Sequence, residues 1–407
     1  MPIGRSTISP SAVLSLLGRI RGILSGTSPS VGSPLAEPVA TTLASSSSPR
    51  LSASATSTTP AVPSTRQGPP SGTPTPPPSA LLLGIIQGSF LAQILCTAAE
   101  LGIADVLADG PLPLEELAAR VGAQPDHLRR MLRPLLAEGI FSCSDNVYAL
   151  NSLAEPLRGD APDSVRALAR FVGDPKAIGL WGLLPTVVRT GESAAELLYG
   201  MPFFDYIQKD RAFGEVFDTA MTEFSVAALE PTLAAYDFSG FGTIVDIAGG
   251  HGRLLTEILT RTPGTRGVLF DLPDVLAPVP ELLAERGLAD RCAIVTGSFF
   301  DEVPAGGDAY ILKHIIHDWV EDRAAHILRT VRAAMSDSAR LLLIEMVLDE
   351  EPERGFGTLL DLEILLTAGG RERTEREYRE LLAANGFELV RRVRTAGVDE
   401  ILEARPI

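Results

Sequence analysis

The chain has 407 residues, of which 45% are apolar, and a formal net charge of −16. The length and apolar content allow two or three domains with large cores, whereas the acidic balance argues against a nucleic-acid partner, which would need a basic surface. The three cysteines are widely separated and match neither a disulfide framework nor a metal-ligand spacing. We therefore expect a cytoplasmic protein that holds no metal.

Residues 1–80 differ from the rest of the chain because they are rich in Ser, Thr, Pro and Ala. Such a composition buries too little apolar surface to fold alone, and we predict a disordered tail. The first 36 residues contain arginines and no acidic side chain, a pattern shared with transit peptides. A disordered tail, or a start site assigned too far upstream, is the favoured interpretation, and a transit peptide is the alternative.

The segment 81–103 is the most apolar long stretch of the chain and is long enough to span a bilayer. Its apolar residues are spaced as in a helix, and Gln87, Gln93 and Glu100 interrupt them. A helix that is buried or forms a dimer contact is therefore predicted in preference to a membrane segment.

The region 81–235 is predicted to be mainly helical. Helices are expected at 114–121 and 126–138, and the second has an apolar face at helical spacing, formed by Leu128, Met131, Leu132, Leu135 and Leu136. Residues 140–150 predict a hairpin that turns at Asp145-Asn146. Two helices and a hairpin indicate a winged-helix-like unit over 81–150. Dimerisation is its favoured role, and DNA binding, supported by three arginines of the second helix, is the alternative.

From about residue 240, strand and helix signals alternate, which indicates an α/β fold with a mainly parallel sheet. The predicted strands are 243–248, 267–271, 292–296, 309–312, 340–346, 387–393 and 400–404, and helices are predicted at 320–335 and 374–384.

A glycine-rich turn follows the first of these strands and leads into a helix. Gly249, Gly250 and Gly252 let the backbone approach a bound ligand, but Leu255 stands where the dinucleotide fingerprint needs a third glycine. A shorter nucleoside ligand is therefore favoured. Asp271 ends the next strand, where a carboxylate can accept hydrogen bonds from both ribose hydroxyls. A helix-capping role for Asp271 is the alternative.

A second polar segment, Ile311-Leu-Lys-His-Ile-Ile-His-Asp-Trp319, follows a later strand. Open α/β sheets place the carboxyl ends of their strands at one crevice. The sequence therefore predicts a single site that contains a cofactor and a histidine, His317. From the local sequence alone, a residue such as His317 is more often found at the start of a helix than in a catalytic role.

Six motifs occur in the order VDIAGGHG, FDLPDV, GSFFDEVP, LKHIIHDW, LLLIEMVL and GGRERT. This set resembles the class I S-adenosylmethionine-dependent O-methyltransferases of the plant caffeic-acid and bacterial polyketide types, over about residues 85–407. The resemblance implies a Rossmann-like S-adenosylmethionine-binding domain at 236–407. It also implies a mainly helical dimerisation and substrate-lining domain at 81–235, a homodimer and no metal.

The resemblance also implies residue roles on the cofactor side. The glycine turn would hold the methionine part, Asp271 the ribose, and Lys313 and Ser225 would be further contacts. Ala248 replaces the family's usual first glycine. Ser298 stands where the family has an aspartate near the adenine, which would leave more of the adenine recognition to stacking by Phe299.

On the acceptor side, the resemblance makes His317 a general base supported by Glu345 and Glu372. A phenol has a pKa near 10, and a nearby imidazole can take its proton as the methyl group arrives. Asp318, Phe217 and Met221 would contact the acceptor, and core packing is the alternative for the last two. Phe224 shares their helix face, and weaker candidates for this pocket are Trp181, Phe203 and Phe204.

The implied function is methyl transfer from S-adenosylmethionine to a hydroxyl of a small aromatic secondary metabolite. The alternatives are an N- or C-methyltransferase, a non-methylating enzyme of the same superfamily, and a winged-helix regulator, which the acidic balance disfavours. Among the other histidines, His251 is expected at the edge of the site and His314 in strand-end packing, and two are expected on helix surfaces, His127 and His326.

Overall fold

The structure is a computed structural model that describes residues 77–351 and 355–407. The predicted tail over 1–80 lies almost wholly outside these residues. The described residues divide into two units between Phe90 and Leu91, and the unit Leu91–Ile407 contains the sheet and the site described below. The predicted domain boundaries at 80 and 235 stay predictions.

The first described helix, α1 (Pro78–Glu100), is apolar but exposed over its first half. Its buried residues begin only at Cys96, whereas large apolar side chains before that point are more than half exposed, namely Leu81, Leu82, Leu83, Ile85, Ile86 and Phe90. Burial within the chain is therefore a wrong prediction for this half of the helix. By length and composition α1 could cross a membrane, which is weak evidence because core helices pass the same test. The dimer contact stays a prediction.

The winged-helix-like unit has the predicted elements. The helices are α2 (Ile103–Leu107), α3 (Leu114–Arg120) and α4 (Pro125–Ala137), and the strands are β1 (Leu112–Pro113), β2 (Ser142–Ser144) and β3 (Val147–Ala149), paired in the order β1-β3-β2. The hairpin turns at Asp145 and Asn146, with φ of 50° and 63°. Aspartate and asparagine tolerate this left-handed conformation better than most residues, which is why the turn was predictable.

Six helices connect this unit to the sheet: α5 (Arg166–Gly173), α6 (Pro175–Gly182), α7 (Leu184–Thr190), α8 (Ala194–Tyr199), α9 (Phe203–Lys209) and α10 (Arg211–Ala235). An aromatic cluster joins three of them, α5, α9 and α10. Phe217 of α10 contacts Phe171 and Phe203, with ring centroids 5.4 and 5.2 Å away. Such ring pairs add to the burial of apolar area and fix α10 against α5 and α9.

The remaining elements form the main sheet, a two-stranded sheet of β9 and β10, and the flanking helices. The strands are β4 (Thr243–Ile247), β5 (Arg266–Asp271), β6 (Cys292–Thr296), β7 (Ala309–Lys313), β8 (Arg340–Glu345), β9 (Val347–Leu348), β10 (Arg373–Thr374), β11 (Phe387–Arg394) and β12 (Glu400–Pro406). The helices are α11 (Arg253–Arg261), α12 (Pro273–Leu276), α13 (Val279–Glu285), α14 (Glu321–Ala334), α15 (Phe356–Thr367) and α16 (Glu375–Ala384). The predicted α/β fold is confirmed.

The main sheet has seven strands in the order β11-β12-β8-β7-β4-β5-β6. Strands β8, β7, β4, β5 and β6 are parallel, and β12 is antiparallel to both of its neighbours. Side chains alternate between two apolar cores, one on each face of the sheet: on β8, Leu341 and Leu343 enter one core and Leu342 and Ile344 the other. Burial on both faces explains why these strands are continuous apolar runs in the sequence.

The chain order places a crevice at the carboxyl ends of β4 and β7. From β4 the chain adds β5 and β6 on one side, and then returns to add β7 on the other side. Ligands bind at such a switch point in open α/β sheets. Ile247 pairs with Leu312 at the ends of the two strands, so the glycine turn after β4 and the segment after β7 lie side by side.

Candidate active site

The glycine turn after β4 is shaped by Asp271. Gly250 and Gly252 have φ of 59° and 73°, values that glycine adopts without steric cost. The amide of Gly250 donates to Oδ2 of Asp271 at 2.9 Å, and the amide of Leu272 donates to Oδ1 at 2.7 Å. Each carboxylate oxygen can accept a second hydrogen bond, so Asp271 supports the turn and keeps capacity for ligand hydroxyls.

Gly249 lies where a side chain would not fit. A Cβ at this position would come within 2.5 Å of Leu269 Cδ1 and 2.6 Å of Asp246 Oδ2. Asp246 is buried, and its Oδ2 accepts no hydrogen bond from the residues that the structure describes. Burial, with the neighbouring charge of Asp271, raises the pKa of Asp246 to about 7.

Together these features fit the cofactor that the resemblance implies. The turn provides a backbone cradle, Asp271 can accept from hydroxyl groups, and Asp246 supplies a buried acceptor suited to an amino group. Asp246 was missed in the sequence, although one signal was available: it is an acidic residue within the apolar strand Thr243–Ile247.

Ser298 and Phe299 lie beside Asp271 at the same edge of the sheet. The amide of Gly297 donates to the carbonyl of Asp271 at 3.1 Å, and the Ser298 hydroxyl accepts from the amide of Phe300 at 3.2 Å. The ring of Phe299 is 6.0 Å from that of Trp319. The contact of these two residues with an adenine stays a prediction.

His317 is buried in a short 3₁₀ turn, Ile316–Asp318, three residues after β7 ends. Its Nδ1 lies 2.7 Å from Oε1 of Glu372 and 3.6 Å from Oε2 of Glu345. Its Nε2 lies 3.5 Å from Oδ1 of Asp318. The structure thus brings together His317, Asp318, Glu345 and Glu372, the four polar residues that were predicted on the acceptor side of the site.

The two glutamates hold His317 in different ways. Oε1 of Glu345 accepts from the amides of Ile316 at 2.9 Å and Ile315 at 3.3 Å, which fixes the turn that carries the imidazole. Glu372 contacts the ring directly, and the amide of the preceding Arg371 donates to the His317 carbonyl at 2.8 Å.

The backbone beside Glu372 is packed tightly against the same turn. A Cβ on Gly370 would lie 1.9 Å from the His317 carbonyl oxygen, so only glycine allows this approach. Asp361 accepts from the amide of Glu372 at 2.8 Å. Gly370 therefore serves the close contact that presents Glu372 to the imidazole.

Charge around His317 favours its protonated form. Burial alone would lower the pKa of the imidazole, but Glu345, Asp318 and Glu372 outweigh this effect and hold the pKa well above its ordinary value. Burial in turn raises the pKa of Glu345 and of Asp318. A site with three carboxylates around one imidazole stabilises an imidazolium, which suits a histidine that gains a proton during a reaction.

The same side chains could also bind a cation by geometry, since ligand atoms of His317, Glu345 and Glu372 lie within 4.8 Å of one another. The short contact between His317 and Glu372 already pairs two of these atoms in a hydrogen bond. The absence of a metal stays a prediction.

A second polar cluster, which the sequence did not reveal, adjoins His317. Nε2 of His314 lies 2.8 Å from Oδ1 of the fully buried Asp399, and Nζ of Lys313 lies 3.4 Å from its Oδ2. Burial and the charge of Lys313 lower the pKa of His314 to about 4. Burial would raise the pKa of Asp399, but His314 and Lys313 outweigh it and hold it below its usual range.

His314 is therefore more than the packing residue that was expected. Its φ is 53°, an unusual value for a residue other than glycine. Its ring lies 5.3 Å from that of His317 and 5.6 Å from that of Phe224. The His314 side chain thus contacts Lys313, the turn Ile316–Asp318 that carries His317, and helix α10.

The face of α10 divides between core and site. Phe217 lies in the aromatic cluster described above. Its contacts therefore favour core packing, which was the alternative to a role in the acceptor pocket. Phe224 contacts His314, Ser225 beside it is half-buried, and Met221 is exposed. Acceptor contacts by Phe217 and Met221 stay predictions.

Two family models match this chain. The O-methyltransferase domain matches residues 181–388, and the O-methyltransferase dimerisation domain matches residues 83–158. The chain belongs to the S-adenosylmethionine-dependent O-methyltransferase family. The dimerisation match contains almost all of the winged-helix-like unit, which supports the dimerisation interpretation of that unit over DNA binding.

Individual members of the O-methyltransferase family align over most of the chain. A phenazine O-methyltransferase of Lysobacter antibioticus is 43% identical over 332 residues, which are 81% of this chain and 97% of that protein. An 8-amino-8-demethylriboflavin N,N-dimethyltransferase of Streptomyces davaonensis is 35% identical over 305 residues, 74% of this chain and 87% of the relative. Human N-acetylserotonin methyltransferase, solved in complex with S-adenosylmethionine, has a TM-score of 0.74 and 26% identity, covering 82% of this chain and 99% of the human chain.

Proposed function

We propose that this O-methyltransferase transfers a methyl group from S-adenosylmethionine to a hydroxyl group of a small aromatic secondary metabolite, with His317 as general base. The observation that carries the proposal is the buried contact of 2.7 Å between His317 Nδ1 and Glu372 Oε1, with two further carboxylates around the ring. A phenazine O-methyltransferase among its relatives supports the aromatic acceptor.

The residues that would hold the cofactor are those of the glycine turn together with Asp246 and Asp271. Lys313, Ser225, Ser298 and Phe299 are proposed as further contacts. When bound, S-adenosylmethionine supplies a methyl group that is already activated on a positively charged sulfur.

The protein must then align the acceptor and remove its proton. Alignment of two reacting groups can be worth about 7–11 kcal/mol. A phenol is poorly ionised at neutral pH, and Nε2 of His317 can take its proton because Nδ1 is held by Glu372. Glu372 and Glu345 then stabilise the imidazolium, and Asp318, beside Nε2, is proposed to contact the acceptor.

The second candidate is an amine acceptor, which the relationship to an N,N-dimethyltransferase favours. A neutral aromatic amine attacks through its lone pair and does not need to lose a proton first, so it would depend less on His317. C-methylation, a non-methylating reaction and a regulatory role have no comparable support in the site.

We further propose that the enzyme is a cytoplasmic homodimer without nucleic-acid or membrane partners. Its dimer contact would include the exposed apolar side chains of α1, which lies largely within the dimerisation match over 83–158. Covering these side chains would remove apolar surface from water and so stabilise the assembly. Light scattering of the purified full-length chain measures the mass directly, and a monomer at micromolar concentration would contradict this proposal.

The function is tested with methyl-labelled S-adenosylmethionine and matched pairs of planar aromatic compounds that carry a hydroxyl or an amino group at the same ring position. We expect labelled methyl groups on oxygen, located by mass spectrometry and NMR. The matched control is the same compound with its hydroxyl already methylated, which should take up no label. Transfer only to the amino members would replace the proposal by N-methylation.

A further inference from the structure

Helix α15 presents a carboxylate on the face that borders the site. Phe356, Leu360 and Glu363 are spaced at i, i+4 and i+7 and therefore share one face. The ring of Phe356 lies 5.8 Å from that of Phe224, which in turn lies 5.6 Å from that of His314. Glu363 is two turns further along this face, about 10 Å from Phe356 along the helix axis.

Glu363 is tied to α6 through an indole. Nε1 of Trp181 donates to Oε2 of Glu363 at 2.5 Å, and α15 also packs against α6 and α8. Among the described residues no lysine or arginine forms an ion pair with Glu363, and its Oε1 accepts no hydrogen bond. Burial raises the pKa of this carboxyl group.

Glu363 is half-buried, so its carboxylate loses part of its hydration. Withdrawing a charged group from water is unfavourable without a partner, and one indole N–H replaces only part of the lost hydration. The neighbouring side chains of α15, Leu365 and Leu366, join an apolar cluster with Phe203 and Phe213, so helix packing alone would be served better by an apolar residue. Trp181 meanwhile holds one oxygen and leaves the other available.

We propose that Glu363, oriented by Trp181, is a specificity-determining residue that accepts a hydrogen bond from an N–H or O–H group of the acceptor other than the reacting group. The acceptor class is then a planar aromatic compound that carries a second donor, neutral or cationic. A carboxylate at the same place on the acceptor is rejected by repulsion. This inference rests on the proposed function, because it assumes that the acceptor binds beside His317.

The proposal has consequences for binding that do not depend on turnover. A hydrogen bond to a charged group contributes about 1.5–3 kcal/mol, which corresponds to a preference of about 10- to 100-fold for a donor over a group that cannot donate. Glu363→Gln keeps the shape of the side chain but removes the charge, and Trp181→Phe removes the N–H that orients it.

The test uses 2-naphthols that carry an aminomethyl, a hydroxymethyl or a carboxylate substituent on the second ring. Their dissociation constants are measured by calorimetry with S-adenosylhomocysteine present, so that no methyl transfer is needed. We expect the wild-type enzyme to bind the aminomethyl compound at least 10-fold more tightly than the carboxylate. In Glu363→Gln the dissociation constants of the aminomethyl and carboxylate compounds should differ by no more than about threefold. In Trp181→Phe their ratio should lie between the wild-type value and that of Glu363→Gln.

Glu196→Gln is the matched control, because Glu196 is exposed on the nearby α8. It should retain the wild-type ratio. If Glu363→Gln shows no cooperative thermal unfolding and so is not folded, the test rests on Trp181→Phe. Equal ratios in wild type and both variants, or no binding of any of the three naphthols at millimolar concentration, would overturn the proposal. Tight, selective binding without transfer to oxygen would instead contradict only the proposed function.

Discussion

His317 Nδ1 lies 2.7 Å from Oε1 of Glu372, which is 55 residues further along the chain. The contact is anchored on both sides, since the backbone of Arg371 also donates to the His317 carbonyl. A hydrogen bond at Nδ1 sets the tautomer of the ring and so makes Nε2 the nitrogen that is available to accept a proton. The orientation of a base is therefore fixed by a residue remote in sequence.

Glu372→Gln should lower turnover more than Glu345→Gln does. Both changes remove a charge that stabilises the imidazolium, but only Glu372 bonds to the ring, whereas Glu345 mainly supports the backbone amides of Ile315 and Ile316. We expect a loss of kcat on the order of 100-fold for Glu372→Gln and a smaller one for Glu345→Gln. The exposed Glu380→Gln is the control for charge removal. A larger kcat loss for Glu345→Gln would show that the roles of the two residues are reversed.

The pH dependence of activity should have its rising limb above neutral pH. Only neutral imidazole accepts a proton, and the surrounding carboxylates hold the pKa of His317 well above its ordinary 6.5. The rise of kcat/KM should therefore occur above pH 6.5 and move to lower pH in Glu372→Gln. A wild-type rise centred at or below pH 6.5 would show that the carboxylates do not control this titration.

The free energy of unfolding should fall as pH rises, whereas the activity should rise. Because the folded state raises the pKa of His317, its contribution to the free energy of unfolding is fully present below pH 6.5 and is lost as pH rises through the folded-state pKa. Urea unfolding between pH 6 and 10 measures this loss. His317→Gln should reduce the pH dependence in that range, and an unchanged slope would mean that other groups dominate.

Gly249→Ala and Asp271→Ala should both weaken cofactor binding. The added methyl group of Gly249→Ala would lie within 2.6 Å of Leu269 and Asp246 and displace the turn. Asp271→Ala leaves the Gly250 amide and the ligand hydroxyls without an acceptor, a cost of about 1–3 kcal/mol. Calorimetry with S-adenosylhomocysteine gives the dissociation constants. The control is Gly264→Ala, at an open position of the same domain, which should bind S-adenosylhomocysteine with the wild-type dissociation constant. Wild-type affinity in Asp271→Ala would show that Asp271 is not part of the cofactor site.

Asp399→Asn should destabilise the protein through Lys313. The change leaves the largely buried Lys313 ammonium without its counter-charge, while the new amide oxygen can still accept a hydrogen bond from His314. Loss of one partner of a buried ion pair costs about 3–5 kcal/mol. A second change, Lys313→Met, should recover part of this free energy, as measured by urea unfolding. If Lys313→Met changes the stability of Asp399→Asn by the same amount as it changes that of the wild type, the two side chains are not coupled.

The sequence predicts the sheet well because its strands are buried on both faces and bounded by turns. Each predicted main-sheet strand has an observed counterpart whose ends differ by at most two residues. His317 and Glu345 lie at or just after the ends of neighbouring parallel strands, which the sheet brings to one edge, whereas the place of Glu372, between α15 and β10, was implied by the family resemblance alone.

Other parts of the site could not be predicted from local patterns. Asp399 reaches His314 from 85 residues away, and no periodicity links them. Helical spacing puts Phe217 and Phe224 on one face of α10, but it cannot tell which faces the core and which faces His314. For α1, composition reveals an apolar helix but not what covers it.

The most direct test of the account is the turnover of His317→Gln on a hydroxyl acceptor. We expect kcat to fall by a factor on the order of 10²–10⁴, the usual range for acid–base assistance, while the dissociation constant of S-adenosylhomocysteine stays within twofold of wild type. The deficit should shrink for phenols of low pKa, which ionise without help. His127→Gln, an exposed histidine outside the site, should match wild type. Near-wild-type turnover of His317→Gln on a hydroxyl acceptor would contradict general-base catalysis by His317.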